Sequence, residues 1–359
     1  METIFVRVPN EVYGILNPRN NLGIYIHYPF CIKKCFYCDF FKETNFKYGF
    51  YQTLIQEIEF KIKILQEWDY KLGIVDTVYF GGGTPNLMSL KYLEEIIDTL
   101  KKYFNFSSNV EISFEINPEF ISEKYIRELR SLGINRISIG VQSLNIFGLR
   151  VMGRTHNISE IYQAIRNVER YFDNYNLDMI ALYPYQTFES LKKDIDSLLS
   201  IGSPHLSYYL MCVDKSEDYP DILKQKVVQN YAKAGLYYRI IVDKLSKIYD
   251  QYEISNFAIK NFYCKHNLKY WYYYDYIGFG PSAVSKVTID SKAIRIQNNF
   301  DGLSYEIEYI DINEQVKERI MLGLRTRWGI WYKDKKLRIS NFEEYNTKAL
   351  EILGQIGYE

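Results

Sequence analysis

Leu22-Gly23-Ile24-Tyr25-Ile26-His27-Tyr28-Pro29-Phe30 runs directly into Cys31-Ile32-Lys33-Lys34-Cys35-Phe36-Tyr37-Cys38. The first stretch is apolar and β-branched enough to hold a strand, Ile24–His27. The second carries three of the chain's five cysteines in one C-x3-C-x2-C loop. Four-iron clusters are normally held by four thiolates, often closely spaced. Three thiolates leave one iron without a protein ligand, and an open coordination position makes a metal site reactive. Cys212 and Cys264 remain as distant candidates for a fourth ligand. Zinc held by three cysteines and a histidine is the competing reading, although zinc knuckles usually pair C-x2-C units. A disulfide is the weakest reading, since cytosolic chains keep few of them.

Outward from this loop, strand-like runs recur at Ile74–Phe80, Val110–Ile116, Arg136–Val141, Leu177–Leu182 and His205–Met211. Between them lie helix-like stretches over 47–67, 89–103, 122–131, 159–172 and 189–200, several opening on a serine. Six alternating βα units imply a parallel sheet with right-handed crossovers, either doubly wound or barrel-like. In both forms active sites gather at the carboxyl ends of the strands. Those ends carry the cysteine loop, Gly81-Gly82-Gly83-Thr84-Pro85, Glu115 with Asn117-Pro118-Glu119, and Gln142-Ser143. Glycine there lets backbone approach a ligand closely.

The 359 residues suffice for one large domain or two ordinary ones. Lys+Arg and Asp+Glu both number 44, so no overall field recruits nucleic acid or an anionic membrane. No apolar run approaches the roughly 20 residues of a membrane span, and no secretory signal opens the chain. A cytoplasmic setting is expected.

With an aromatic residue, Tyr37, before its third cysteine, the C-x3-C-x2-C loop after a strand resembles the radical S-adenosylmethionine (radical SAM) superfamily. The resemblance selects an α/β fold with a partial (β/α)6 TIM-like barrel. It implies a 4Fe-4S cluster on Cys31, Cys35 and Cys38 whose open iron chelates S-adenosyl-L-methionine and cleaves it to a 5′-deoxyadenosyl radical. It further implies that Tyr25, Tyr37, Gly82, Gly83, Thr84, Glu115, Gln142, Arg154, Asp178 and Ile180 surround that cosubstrate. The chemistry is sensible: carboxylates suit ribose hydroxyls, and arginine pairs with a carboxylate in bidentate fashion.

Beyond 212 the alternation stops. Asp221–Ile248 reads as mostly helical, Glu314–Leu324 as a helix and Arg325–Gly329 as a turn. The blocks Tyr252-Glu253-Ile254-Ser255-Asn256-Phe257-Ala258, Cys264-Lys265-His266-Asn267-Leu268-Lys269-Tyr270-Trp271 and Gly278-Phe279-Gly280-Pro281-Ser282-Ala283 narrow the resemblance. It is to the HemW heme-chaperone branch of the oxygen-independent coproporphyrinogen III oxidase-like family. The implied organisation is an N-terminal arm over 1–21, the partial barrel over 22–212 and a smaller C-terminal α+β domain over 213–359 with a shortened tail. The implied ligand is heme, contacted by His266, Asn267, Tyr270 and Trp271, with Cys264 as an alternative axial ligand. Other implied partners are acceptor hemoproteins, a reductant such as flavodoxin or ferredoxin, and peripheral contact with a membrane.

Two activities are open at this point. One is heme binding and transfer to acceptors. The other is oxidative decarboxylation of coproporphyrinogen III by a dehydrogenase of the same family. The enzyme's pattern places a further cysteine where this chain has Phe40. The chain also departs from its own branch at Leu182, where a glycine is usual, and at Tyr183, where an apolar residue is usual.

Overall fold

A computed structural model describes residues 6–17, 21–119, 121–213, 219–300 and 304–357. Its centre is six parallel strands: β1 (Asn21–Tyr28), β2 (Ile74–Gly82), β3 (Phe106–Ile116), β4 (Arg136–Gln142), β5 (Tyr175–Ala181) and β6 (His205–Leu210). Five helices follow the first five strands: α1 (Phe50–Glu67), α2 (Leu90–Tyr103), α3 (Glu123–Ser131), α4 (Ile158–Glu169) and α5 (Phe188–Ile201). Their starts have local causes. Ser89 and Ser122 accept from the backbone three residues on, and Thr187 and Asn157 close capping boxes. Asn157, not Ser159, therefore opens α4.

The strands alternate in an informative way. Ile24, Ile26, Val78, Phe80, Ile112, Phe114, Ile137, Ile139, Leu177, Met179 and Leu206 form the apolar face, buried under the helices. The other set is polar: Tyr25, Thr77, Tyr79, Glu111, Glu115, Arg136, Ser138, Asn176, Asp178, His205 and Ser207. Cross-strand hydrogen bonds such as Ser138 to Asp178 (2.7 Å) and Asn176 to Ser138 (2.8 Å) place this set together on the concave side. The sheet does not close, so the interior stays reachable. The partial barrel is thus apolar outside and polar within.

The sheet continues past both edges. Beside β6 lies β7 (Asn256–Ala258), antiparallel. Beside β1 lies β8 (Asp275–Phe279), parallel, then the antiparallel meander β9 (Val284–Ile289), β10 (Lys292–Asn298) and β11 (Tyr305–Ile310). Among the described residues the last third of the chain therefore extends the barrel sheet to twelve strands, with Asp250–Gln251 paired to β7 at one edge. Residues 278–283 make this join. A Cβ on Gly280 (φ +94°) would lie 2.3 Å from the His27 carbonyl oxygen, so only glycine fits. Buried Lys61 of α1 donates to the Gly278 carbonyl (2.6 Å) and to Asn298 (2.6 Å), and Glu57 accepts from the Gly280 amide (2.9 Å). At the N-terminus Val6–Arg7 pairs with Ile330–Tyr332, tying the expected arm to the C-terminal part.

Beyond α6 (Ala234–Leu245), the amino ends of the strands are plugged by a short helix, α7 (Lys265–Trp271). Glu111 of β3 accepts from the Lys265 and His266 amides (3.3 and 3.2 Å), neutralising a helix N-terminus. Lys269, fully buried, pairs with Asp76.

Candidate functional site

At the opposite, carboxyl ends of the strands the cysteine loop folds back on β1. Cys31 donates its amide to the Glu43 carbonyl (2.8 Å), and Glu43 returns a bond to Pro29 (2.8 Å). His27 Nε2 donates to the Phe41 carbonyl (2.9 Å), so Nδ1 is left to accept from the Tyr25 hydroxyl (3.1 Å). Burial keeps this imidazole neutral by holding it below its ordinary value. Phe41 also stacks on Phe300, with centroids 4.6 Å apart.

The glycine loop after β2 clasps the same turn. Gly83 donates to the Tyr28 carbonyl (2.7 Å) and Thr84 to the Phe30 carbonyl (2.9 Å). A Cβ on Gly83 would lie 2.7 Å from the Phe30 oxygen, and one on Gly81 3.1 Å from the Glu115 carboxyl. Close approach is demanded here by the protein's own chain, beyond any ligand.

Two donors aim at the sulfurs. The Thr84 hydroxyl reaches Cys31 Sγ (3.4 Å), and Arg154 reaches Cys35 Sγ (3.4 Å). Arg154 also donates to the Asn117 side-chain oxygen (2.7 Å) and the Gly140 carbonyl (3.2 Å), while its buried Nε has no partner among the described residues. Asn117 in turn donates to Thr84 (3.2 Å). A zinc site needs its ligands to converge on a single ion. A cluster instead lets each thiolate hold its own iron. Three thiols from one loop, anion-seeking donors at two of them and an unspent guanidinium nitrogen fit a cubane with a cosubstrate that presents a carboxylate.

A cavity of about 380 Å³ opens beside the loop. Of the residues expected around the cosubstrate, Tyr37, Gly82, Gly83, Thr84, Glu115, Gln142, Arg154, Asp178 and Ile180 line it, together with Cys38. Tyr25 does not; its hydroxyl is spent on His27. Residues outside the set expected around the cosubstrate also line it: Tyr79, Asn117, Ser138, Tyr209, Met211, Cys212 and Phe40. Tyr79 and Ser138 fall on the polar phase of β2 and β4, a signal present in the two-residue period. Cys212 shares this rim, whereas Cys264 is enclosed near Glu111 and burial pushes its thiol up to about 12.

Electrostatics sharpen the cavity. Burial, with the neighbouring Asp178 charge added, pushes Glu115 up to about 7 against donation from Tyr79. Asp178 is also raised by burial, opposed by the Ser138 and Asn176 donors. Gln142 (φ +68°) and Leu182 (φ +66°) hold the left-handed region at the ends of β4 and β5. Leu182 is the departure from a usual glycine, and it is fully buried.

The segment expected to contact heme divides. His266 is buried against Thr77 (2.9 Å) and Tyr270 (2.7 Å), and burial with Lys269 and Arg136 pushes it down to about 3. Tyr270 and Trp271 instead line a second cavity, of about 500 Å³, with Tyr276, Met321, Leu353 and Arg295.

Comparison with known proteins now places the chain. The Radical SAM superfamily model matches residues 25–198. The heme chaperone HemW of Buchnera aphidicola (Acyrthosiphon pisum) is 31% identical over 353 residues, covering 94% of this chain and 91% of that protein. The chain belongs to the HemW family of radical SAM proteins. HemW of Lactococcus lactis is 29% identical, covering 92% of this chain and 89% of its own. Among solved structures, the coproporphyrinogen III oxidase HemN of Escherichia coli superposes with a TM-score of 0.71 at 20% identity, over 87% of this chain and 77% of HemN. That likeness is one of fold. A partial barrel carrying a 4Fe-4S cluster and S-adenosylmethionine is the family's core, and no helix among the described residues is long and apolar enough to cross a membrane.

Proposed function

We propose that this HemW-family chain binds heme and hands it to acceptor hemoproteins, with a cluster and S-adenosylmethionine held at the barrel mouth. The observation that carries the reading is the convergence of the three-cysteine loop, Arg154, Glu115 and Asp178 on one cavity, in a chain aligned with HemW over nearly its whole length. When bound, the cluster supplies a single electron to the cosubstrate on its open iron. The protein's part is binding and orientation. Arg154 offers its unspent Nε to an anionic group, Glu115 and Asp178 accept from hydroxyls, and Ile180 offers an apolar wall.

Heme in this reading lies against Tyr270 and Trp271 in the second cavity, covered by aromatic faces with Met321 beside them. At its wall Arg295 is paired with Glu308 and Glu318 and Lys286 with Asp275, so heme carboxylates have to displace those partners. Ligation by His266 requires the Tyr270 hydroxyl to give up Nε2. Asn267 stands on the same helix and Cys264 at its N-cap, buried. A reductant such as flavodoxin or ferredoxin, a cytoplasmic setting and peripheral membrane contact belong to the same proposal.

The oxidase reading is weaker, because Phe40, 67% exposed at the cavity mouth, occupies the place of the enzyme's further cysteine. One preparation tests both: a hemin titration beside an anaerobic coproporphyrinogen III assay. A Soret shift without decarboxylation is expected; decarboxylation without heme binding would reverse the assignment.

A further inference from the structure

Alternation along β2 turns Thr77 and Tyr79 to the same side, and both meet His266 of α7. His266 is bonded to the Thr77 hydroxyl, and its ring lies against Tyr79 with centroids 5.3 Å apart and planes 29° apart. The Tyr79 hydroxyl donates to Glu115 Oε1 at 2.8 Å. Tyr79 therefore has its ring face on the C-terminal plug and its hydroxyl on a carboxylate in the cavity that it also lines.

The surroundings of Glu115 single out this contact. Tyr25 faces it from β1, Tyr79 from β2, Arg136 from β4, Asp178 from β5, Tyr209 from β6 and Tyr270 from α7. Of these side chains, Tyr79 is the one hydrogen-bonded to it among the described residues. Neither Tyr79 nor its link to α7 belongs to the residue set that the family resemblance implies.

We infer that Tyr79 is a positioning residue: it fixes Glu115 for a hydroxyl or ammonium group of the cosubstrate and, through the stacked His266, makes that fit depend on the seating of α7. The inference rests on the cosubstrate reading of the cavity. Donation from Tyr79, beside the Gly82 amide, still leaves lone pairs on the carboxylate to accept, and donation to the ionised form favours that form. Removing the donor makes Glu115 harder to ionise, so binding falls at neutral pH and recovers at higher pH. A mere packing loss lowers affinity without moving the pH profile.

S-adenosylmethionine titrated into anaerobically reconstituted full-length protein across about pH 6 to 9 tests this, since Glu115 titrates within that window. Tyr79→Phe is expected to keep its iron, to bind about two- to tenfold more weakly at neutral pH, the scale of one hydrogen bond, and to shift its profile upward. His266→Gln is expected to shift it in the same direction. The double variant is expected to be no worse than Tyr79→Phe alone, because both act through one contact. A Tyr79→Phe protein with wild-type affinity and profile overturns the positioning role, and an additive double variant overturns the part played by His266. Failure of the wild type to bind S-adenosylmethionine sinks the cosubstrate reading itself, an outcome distinct from wild-type binding that Tyr79→Phe leaves untouched.

Discussion

Arg154 donates to Cys35 Sγ at 3.4 Å across 119 positions of sequence, binding the cluster loop to the segment that follows β4. The same side chain holds Asn117 and so Thr84, whose hydroxyl reaches Cys31. One guanidinium thereby joins the loops after β1, β2, β3 and β4. Arg154→Lys keeps the charge but loses the planar fork. Iron content after reconstitution is expected to hold while S-adenosylmethionine affinity falls about tenfold, within the range for a charged hydrogen bond. Equilibrium titration checks this, and wild-type affinity would remove Arg154 from the cavity's binding groups.

Leu182 sets two effects against each other. Its left-handed backbone costs about 1–2 kcal/mol that glycine would not incur. Its side chain is fully buried, and truncating a buried leucine costs about 2–5 kcal/mol. Burial is the larger, so Leu182→Gly is expected to lower stability by about 1–3 kcal/mol, read as a fall in the urea midpoint. A rise would mean that backbone strain dominates.

Asp194 of α5 is buried, accepts from the Ser143 hydroxyl (2.9 Å), and is pushed by burial up to about 6. Because its folded value lies above its unfolded one, the native state holds the extra proton. Its contribution to stability is therefore full at low pH and is lost as pH rises from about 4 to about 6. The span corresponds to about 3 kcal/mol, an order-of-magnitude figure. Asp194→Asn is expected to flatten this part of the stability profile. Parallel profiles for wild type and variant would show that the carboxyl titrates normally.

Tyr270 occupies His266 Nε2 and also lines the second cavity. Tyr270→Phe frees that nitrogen, so hemin is expected to bind more tightly and with a Soret band shifted toward that of histidine-ligated iron. Trp271→Ala, which removes an aromatic wall, is expected to weaken binding by about tenfold, from the 1–2 kcal/mol or more that an aromatic contact and its buried area supply. Hemin titrations insensitive to both changes would move heme away from α7.

The sequence displays the six βα units clearly because their strands are apolar and β-branched and several of their helices carry caps. Cys31, Cys35 and Cys38 were legible for the same local reason, lying within eight residues. The polar half of the alternation held more information than was drawn from it: Tyr79, Ser138 and Tyr209 share a phase with Glu115 and Asp178. Strand β8 was opaque, since Asp275-Tyr276-Ile277-Gly278-Phe279 has no helix of its own and acquires its place only by pairing with β1. His266 beside Tyr270 and Trp271 suggested an open ligand, yet long-range contacts with Thr77 and Tyr79 enclose it. No spacing within the motif encodes such a contact.

The proposed open iron is what S-adenosylmethionine would bind, and it is tested by electron paramagnetic resonance on the reduced, anaerobically reconstituted protein before and after that compound is added. About four irons per chain, lost when Cys31, Cys35 and Cys38 are all changed to alanine, and a signal altered by S-adenosylmethionine are expected. Full iron in the triple variant, or a signal that S-adenosylmethionine leaves unchanged, would contradict an open iron held by these three cysteines.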